Sequence, residues 1–127
     1  MIRNLLFIAL GGAIGSVLRY LTSVWTIKLI GQNWFFSGST AANIIGCFLI
    51  GIIATVLQEK GLMDNSIKLF LIVGFLGGFT TFSSFGLEGY EVAAISLQKG
   101  LIYLGFQVVS GIVSVWAGIS VIKWFTG

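Results

Sequence analysis

Gly74-Phe75-Leu76-Gly77-Gly78-Phe79-Thr80-Thr81-Phe82-Ser83-Ser84-Phe85 is the stretch on which the fold turns. It lies in an apolar segment from Ile67 to Leu97, which as one continuous helix would be about 45 Å long. The hydrocarbon core of a bilayer is only about 30 Å thick. Gly77-Gly78 followed by two β-branched threonines is poor helix material. The segment is therefore read as a spanning helix broken near Gly77 to Thr81. Carbonyls freed at membrane depth need partners, and broken membrane helices often meet that need by binding an ion. A tilted, gently bent helix that binds nothing is the other reading these residues allow.

Working outward, the rest of the chain is of the same kind. Of 127 residues, 57% are hydrophobic and 9% charged, and there is no proline; mean hydropathy is +1.04. A soluble domain carries about 25% charged residues, so most of this surface needs lipid as its solvent. Four segments are long and apolar enough to span: 4–30 (interrupted by Arg19), 35–57, the broken 67–97, and 100–123. Short polar connections separate them at Gly31-Gln32-Asn33, Gln58 to Ser66, and Gln98-Lys99. The expected architecture is all-α, one four-span transmembrane domain covering 1–127. The apolar run after Met1-Ile2-Arg3-Asn4 continues past Gly15 and resumes after Arg19, too long for a cleaved leader.

Charge excludes several classes. The net charge is +3, but the basic residues are scattered singly, so no nucleic-acid footprint exists. With no histidine and one cysteine, neither a zinc nor a haem site is expected. Cys47 reads as a small packing residue. No Gly-rich phosphate loop ending in Gly-Lys-Ser/Thr occurs, so no nucleotide partner and no ATP-driven transport is expected. Nothing suggests an enzyme. One side of the membrane would hold Arg3, Lys60, Lys68 and Lys123, the other Lys28 and Lys99. That weak bias permits insertion in both orientations.

Small residues recur four apart: Gly11 and Gly15, Ala42 and Gly46, Gly74 and Gly78, Ser114 and Gly118. This spacing lets helices approach closely in lipid. Phe82 and Phe85 share a helix face; they serve packing, or present weakly positive ring edges to a small anion, with Ser83 and Ser84 supplying hydroxyls. Asn43 is an amide at membrane depth, above Ser39 and Thr40, and is either helix–helix glue or an ion contact. Tyr103, Gln107, Ser110 and Ser114 form one polar stripe on the fourth span. Every group in this set can donate a hydrogen bond and none is a carboxylate, which suits a dehydrated anion better than a cation. Arg19 and Glu88 remain, either as a structural ion pair or with Arg19 forming an electropositive entrance.

These motifs together resemble the CrcB/Fluc fluoride channels. The similarity runs through Gly11-Gly12-Ala13-Ile14-Gly15-Ser16-Val17-Leu18-Arg19, Gly38-Ser39-Thr40-Ala41-Ala42-Asn43-Ile44-Ile45-Gly46, and most specifically Gly77 to Phe85 followed by Glu88. Ser39, Ser84 and Gly86 depart from the family's usual threonine, threonine and serine. The resemblance implies an antiparallel, dual-topology homodimer in a bacterial inner (plasma) membrane, surrounded by lipid, with two pores each lined by both subunits. It implies a structural sodium ion (Na+) at the interface, held by the main-chain carbonyls of Gly77 and Thr80. Phe82 and Phe85 would be the pore phenylalanines, and Asn43 the amide beside the fluoride path. Ser110 and Ser114 would belong to its polar track, and Arg19 to the vestibule. Such a channel lets fluoride leave the cell passively and relieves its toxicity. The alternatives are a small multidrug-resistance-type drug/proton antiporter, which relies on a first-span carboxylate that residues 1–30 lack, or a non-transporting membrane scaffold.

Overall fold

A computed structural model of the chain describes residues 1–61 and 64–127. Helix α1 runs Ile2–Ile30 and α2 runs Gly38–Glu59. The third span is assembled from α3 (Asn65–Lys68), a π-helical segment (Leu69–Leu76), α4 (Gly77–Phe79) and α5 (Ser83–Ile95). Helix α6 runs Leu97–Thr126. All of these elements are helical, and four stretches are long and apolar enough to cross a membrane. The chain is a multi-pass membrane protein.

Two boundaries differ from the expected ones. The second span begins at Gly38, not near residue 35, because Asn33 Oδ1 accepts the Phe35 and Phe36 amides in a turn. Ser37 then caps α2 through a capping box with Thr40. The side-chain oxygens satisfy the first amides, which have no partner within the helix. Gln98-Lys99 is not a connection, since both residues lie in the first turn of α6. One extended residue, Ser96 (φ −150°, ψ 114°), divides α5 from α6, and its side chain accepts the Lys99 amide. The connection expected from Gln58 to Ser66 includes residues 62 and 63, which lie outside the described residues; Asp64 caps α3 by accepting the Ser66 amide.

Glycine governs the packing. Helix α1 lies on the π segment and α4, while α2 lies on α6. A Cβ built on Gly15 would meet the Phe75 carbonyl oxygen at 2.1 Å and the Phe79 nitrogen at 2.9 Å; one on Gly78 would meet the Gly12 oxygen at 2.6 Å. The expected stripes on spans one and three are thus the two faces of one contact. Across the bundle, Gly118 meets the Phe48 carbonyl and Gly51 the Val115 carbonyl, so Gly51 is the partner of Gly118. At one end, Lys28 sits over Trp25 (5.9 Å) and Lys99 over Trp34 (5.2 Å). Such aromatic–basic pairs suit the membrane–water boundary.

Replacing Gly15 by alanine should lower thermal stability in detergent, because main-chain atoms at both short contacts cannot yield; overpacking of this kind costs about 1–3 kcal/mol. Gly105, where an added Cβ meets nothing within 4 Å, is the control. Gly105→Ala should melt with the wild type, and equal melting of both variants would remove the close-approach reading.

Candidate functional site

The break in the third span falls at Thr80 to Phe82, two to three residues beyond the glycine pair. Thr80 turns to an extended conformation (φ −85°, ψ 159°), and α5 restarts at Ser83. Gly77 and Gly78 remain helical. Leu76 still receives the Thr80 amide (3.0 Å) and hydroxyl (2.9 Å). After that the ladder ends. The Thr81 amide, which a continuous helix would aim at the Gly77 carbonyl, instead donates to Asn43 Oδ1 (2.8 Å). The Ser84 amide, which would serve the Thr80 carbonyl, donates to Thr81 Oγ1 (3.2 Å).

Asn43 therefore grips the break from both sides. Its Oδ1 takes the Thr81 N–H, and its Nδ2 donates to the Thr81 carbonyl at 3.0 Å. A side-chain amide carries the same donor and acceptor as a peptide group, so α2 supplies the partner that the broken helix lacks. This answers the cost of unpaired main chain in a medium without water.

A second cluster surrounds Glu88. Its carboxylate accepts the hydroxyls of Ser37 (2.8 Å), Ser39 (3.0 Å) and Tyr103. Its partners among the described residues are all hydroxyls and do not include Arg19, so of the two sequence readings of this pair the structural ion pair is not formed. Arg19 sits half-buried on α1. Gln107 joins the two clusters, donating to Tyr103 (2.7 Å) and Thr40 (2.9 Å) and accepting from Asn43 (3.5 Å). The sequence marks Gln107 only as part of a polar stripe. Its spacing of four from Tyr103 and its polarity at membrane depth were the signals that could have promoted it.

Two cavities flank this network. One, of about 490 Å³, is lined by Asn43, Thr80, Thr81, Phe82, Phe85, Gln107 and Gly77, together with apolar side chains, Cys47 and Gly111. No charged side chain among the described residues lines it. The other, of about 540 Å³, opens at the Ser37 end and is lined by Glu88, Glu91, Ser39, Tyr103 and the loop from Gly31 to Ser37. Phe82 and Phe85 are close (centroids 5.5 Å apart, planes at 54°), and Phe85 stacks on Tyr103. Phe82 is 82% exposed.

The structure thus brings Asn43, Phe82, Phe85, Tyr103, Gly77 and Thr80 to one connected region. The other three hydroxyls lie apart from the first cavity's lining. Ser83 is exposed, with its Oγ 3.4 Å from Thr81 Oγ1. Ser110 and Ser114 fold back onto their own helix, donating to the Gln107 (3.3 Å) and Ser110 (2.7 Å) carbonyls. As for sodium, Gly77 and Thr80 line the same cavity, and the amides their carbonyls would accept in a helix are engaged elsewhere. Oxygen donors of this kind suit a hard cation, so the residues present fit the ion.

The fold and site define a small four-span membrane protein with a broken helix and a polar network at mid-depth. The chain belongs to the family described as CrcB-like protein, Camphor Resistance (CrcB), whose model matches residues 6–119. It is 43% identical over 124 residues to the fluoride-specific ion channel FluC of Rhizobium etli, covering 93% of this chain and 94% of the relative. The FluC of Agrobacterium fabrum is 42% identical over 120 residues (92% and 94%). That of Chloroflexus aurantiacus is 37% identical over 127 residues (98% of each).

Asn43→Ala should destabilise the folded protein by about 1–3 kcal/mol, the cost of leaving a buried main-chain donor unsatisfied, measured by denaturation in detergent. Unchanged stability would mean that the break does not need its clamp.

Proposed function

We propose that this chain forms a fluoride-selective passive channel that carries fluoride out of the cell and so relieves its toxicity. The observation that carries the reading is the cavity beside the break. Two phenylalanines, threonine hydroxyls and amides surround it, and no charged side chain among the described residues lines it. Fluoride must shed its water for contacts that are many but individually weak, so that it enters and also leaves. Ring edges are weakly positive, rigid and not titratable. The start of α5 beside Phe82 adds the positive pole of a helix N-terminus. The relatives' name, fluoride-specific ion channel, points the same way. The antiporter alternative draws no support from the family or from these relatives.

The chain works as an antiparallel homodimer in this reading. Phe82 stands almost wholly exposed on an open cleft, so one copy supplies only part of a pore wall, and the undecided charge distribution allows both orientations. Carbonyls of Gly77 and Thr80 from each copy would hold a sodium ion at the interface, where its charge offsets main-chain dipoles that no helix satisfies. Asn43 holds the break in the conformation that presents those carbonyls, and Arg19 provides positive charge at the vestibule. Ser83, Ser110 and Ser114 lie near the path with hydroxyls engaged locally, so their part is to rotate and donate their O–H to the anion as it passes.

Purified protein in liposomes should release fluoride and retain chloride and a lipophilic drug cation. Phe85→Leu or Phe82→Ile should lower fluoride flux far more than melting temperature, since volume-near swaps cost under about 1.5 kcal/mol. Phe79, buried and stacked on Phe75 at 5.9 Å, is the packing control; its leucine variant should lose stability while keeping flux per folded protein. The reverse pattern would make Phe82 and Phe85 mere packing. Separately, tags on the C-terminus should be accessible from both sides of the membrane in comparable amounts, and strictly one-sided labelling contradicts the antiparallel dimer.

A further inference from the structure

Proton bookkeeping around Glu88 fixes the orientation of the Gln107 side chain. Ser37, Ser39 and Tyr103 each have one hydroxyl proton, and all three are given to the carboxylate. The Ser37–Thr40 contact (3.1 Å) must then carry the Thr40 proton toward Ser37. Tyr103 and Thr40, having spent their protons, can only accept from Gln107, so Nε2 faces them (2.7 and 2.9 Å) and Oε1 faces Asn43. Every donor in the cluster thus runs toward one acid. If the amide turned over, Tyr103 would have to surrender Glu88 to satisfy Gln107 Oε1, and two NH₂ groups would meet at Asn43.

Gln107 is 7% exposed and, among the described residues, is the one side chain bonded to both the carboxylate cluster and the clamp on the break. We propose that Gln107 is a positioning residue of the ion path. Its carboxamide sets the direction in which Tyr103 donates, and so keeps the Glu88 carboxylate tied to its hydroxyls instead of free to repel an entering anion. A donor that is itself hydrogen-bonded at its oxygen is polarised and donates more strongly, so loss of the Nε2 contact loosens the tie without removing it. This rests on the fluoride-channel reading.

The test is a double-substitution cycle on fluoride flux per folded protein in liposomes, with the wild type in the same series. Gln107→Met keeps length and apolar volume and removes both donors; Tyr103→Phe removes the hydroxyl through which Gln107 acts. Tyr103→Phe should lower flux about tenfold, the worth of one net hydrogen bond, Gln107→Met by less, and the double variant should be no worse than Tyr103→Phe. Additive loss, the product of the two single losses, would mean that Gln107 acts by packing or by touching the ion itself, and would overturn the proposal. So would wild-type flux in Gln107→Met. If Gln107→Met does not fold, Gln107→Leu, which likewise removes both donors without adding a charge, replaces it in the cycle with the same outcomes. A wild type that passes no fluoride would remove both the channel reading and this inference, whereas a conducting wild type with an additive cycle removes the inference alone.

Discussion

The pairing of Asn43 with the main chain of Thr81 is the constraint on which the other features depend. A helix interrupted in lipid exposes peptide groups that no water can satisfy. One asparagine on a neighbouring helix supplies both the acceptor and the donor that Thr81 needs. Because those two bonds require α2 and the break to be in register, they fix which residues of α5 come next. Phe82 and Phe85 enter the cavity only because the chain turns at Thr80. The Gly77 and Thr80 carbonyls are left without helical partners for the same reason.

The close approach of α1 to the third span makes this turn possible from behind. Gly11 and Gly15 lie against the main chain from Phe70 to Phe79, so the wall behind the break is largely backbone, which yields little. On the other side, Gly46 receives the Thr80 methyl. The break is thus held between two glycine surfaces, and its polar groups are directed into the bundle toward Asn43 and Gln107. From there the hydrogen bonds run through Tyr103 to Glu88, the one acid in this cluster. A carboxylate beside an anion path would be a barrier if bare. Three hydroxyls distribute its charge at the mouth of the second cavity.

Much of this was legible in the residues, for identifiable reasons. Length and hydropathy define the four spans, because bilayer thickness leaves few alternatives for segments so poor in charge. The break lies at the threonine end of the expected Gly77–Thr81 stretch: Gly77-Gly78 has low helix propensity, but Gly78 serves the contact with Gly12 and stays helical, while the turn is made where a side chain captures the Thr81 amide. Propensity describes a chain alone, and here a tertiary partner decides. The same limit applies to Asn43, whose depth marks it as paired but does not reveal a main-chain partner 38 residues away. The polar stripe on α6 divides by hydrogen-bond partner. Tyr103 and Gln107 face the bundle, while Ser110 and Ser114 bond to their own helix, as hydroxyls in apolar helices readily do. Nothing in Leu69–Leu76 announces its π-helical winding, and the bonding of Glu88 to hydroxyls, with Arg19 absent, follows from the placement of Ser37 and Ser39 at the start of α2.

Solid-state NMR on the protein in lipid bilayers, with ¹³C in the asparagine side-chain carbonyls and ¹⁵N in the threonine amides, tests the clamp directly. A side chain that bridges the break predicts a short-range correlation between Asn43 Cγ and the Thr81 nitrogen, as the 2.8 Å hydrogen bond requires. A Thr81 amide found bonded to the Gly77 carbonyl, with no correlation to Asn43, would mean that the third span is a continuous helix, and would contradict the arrangement from which the site is built.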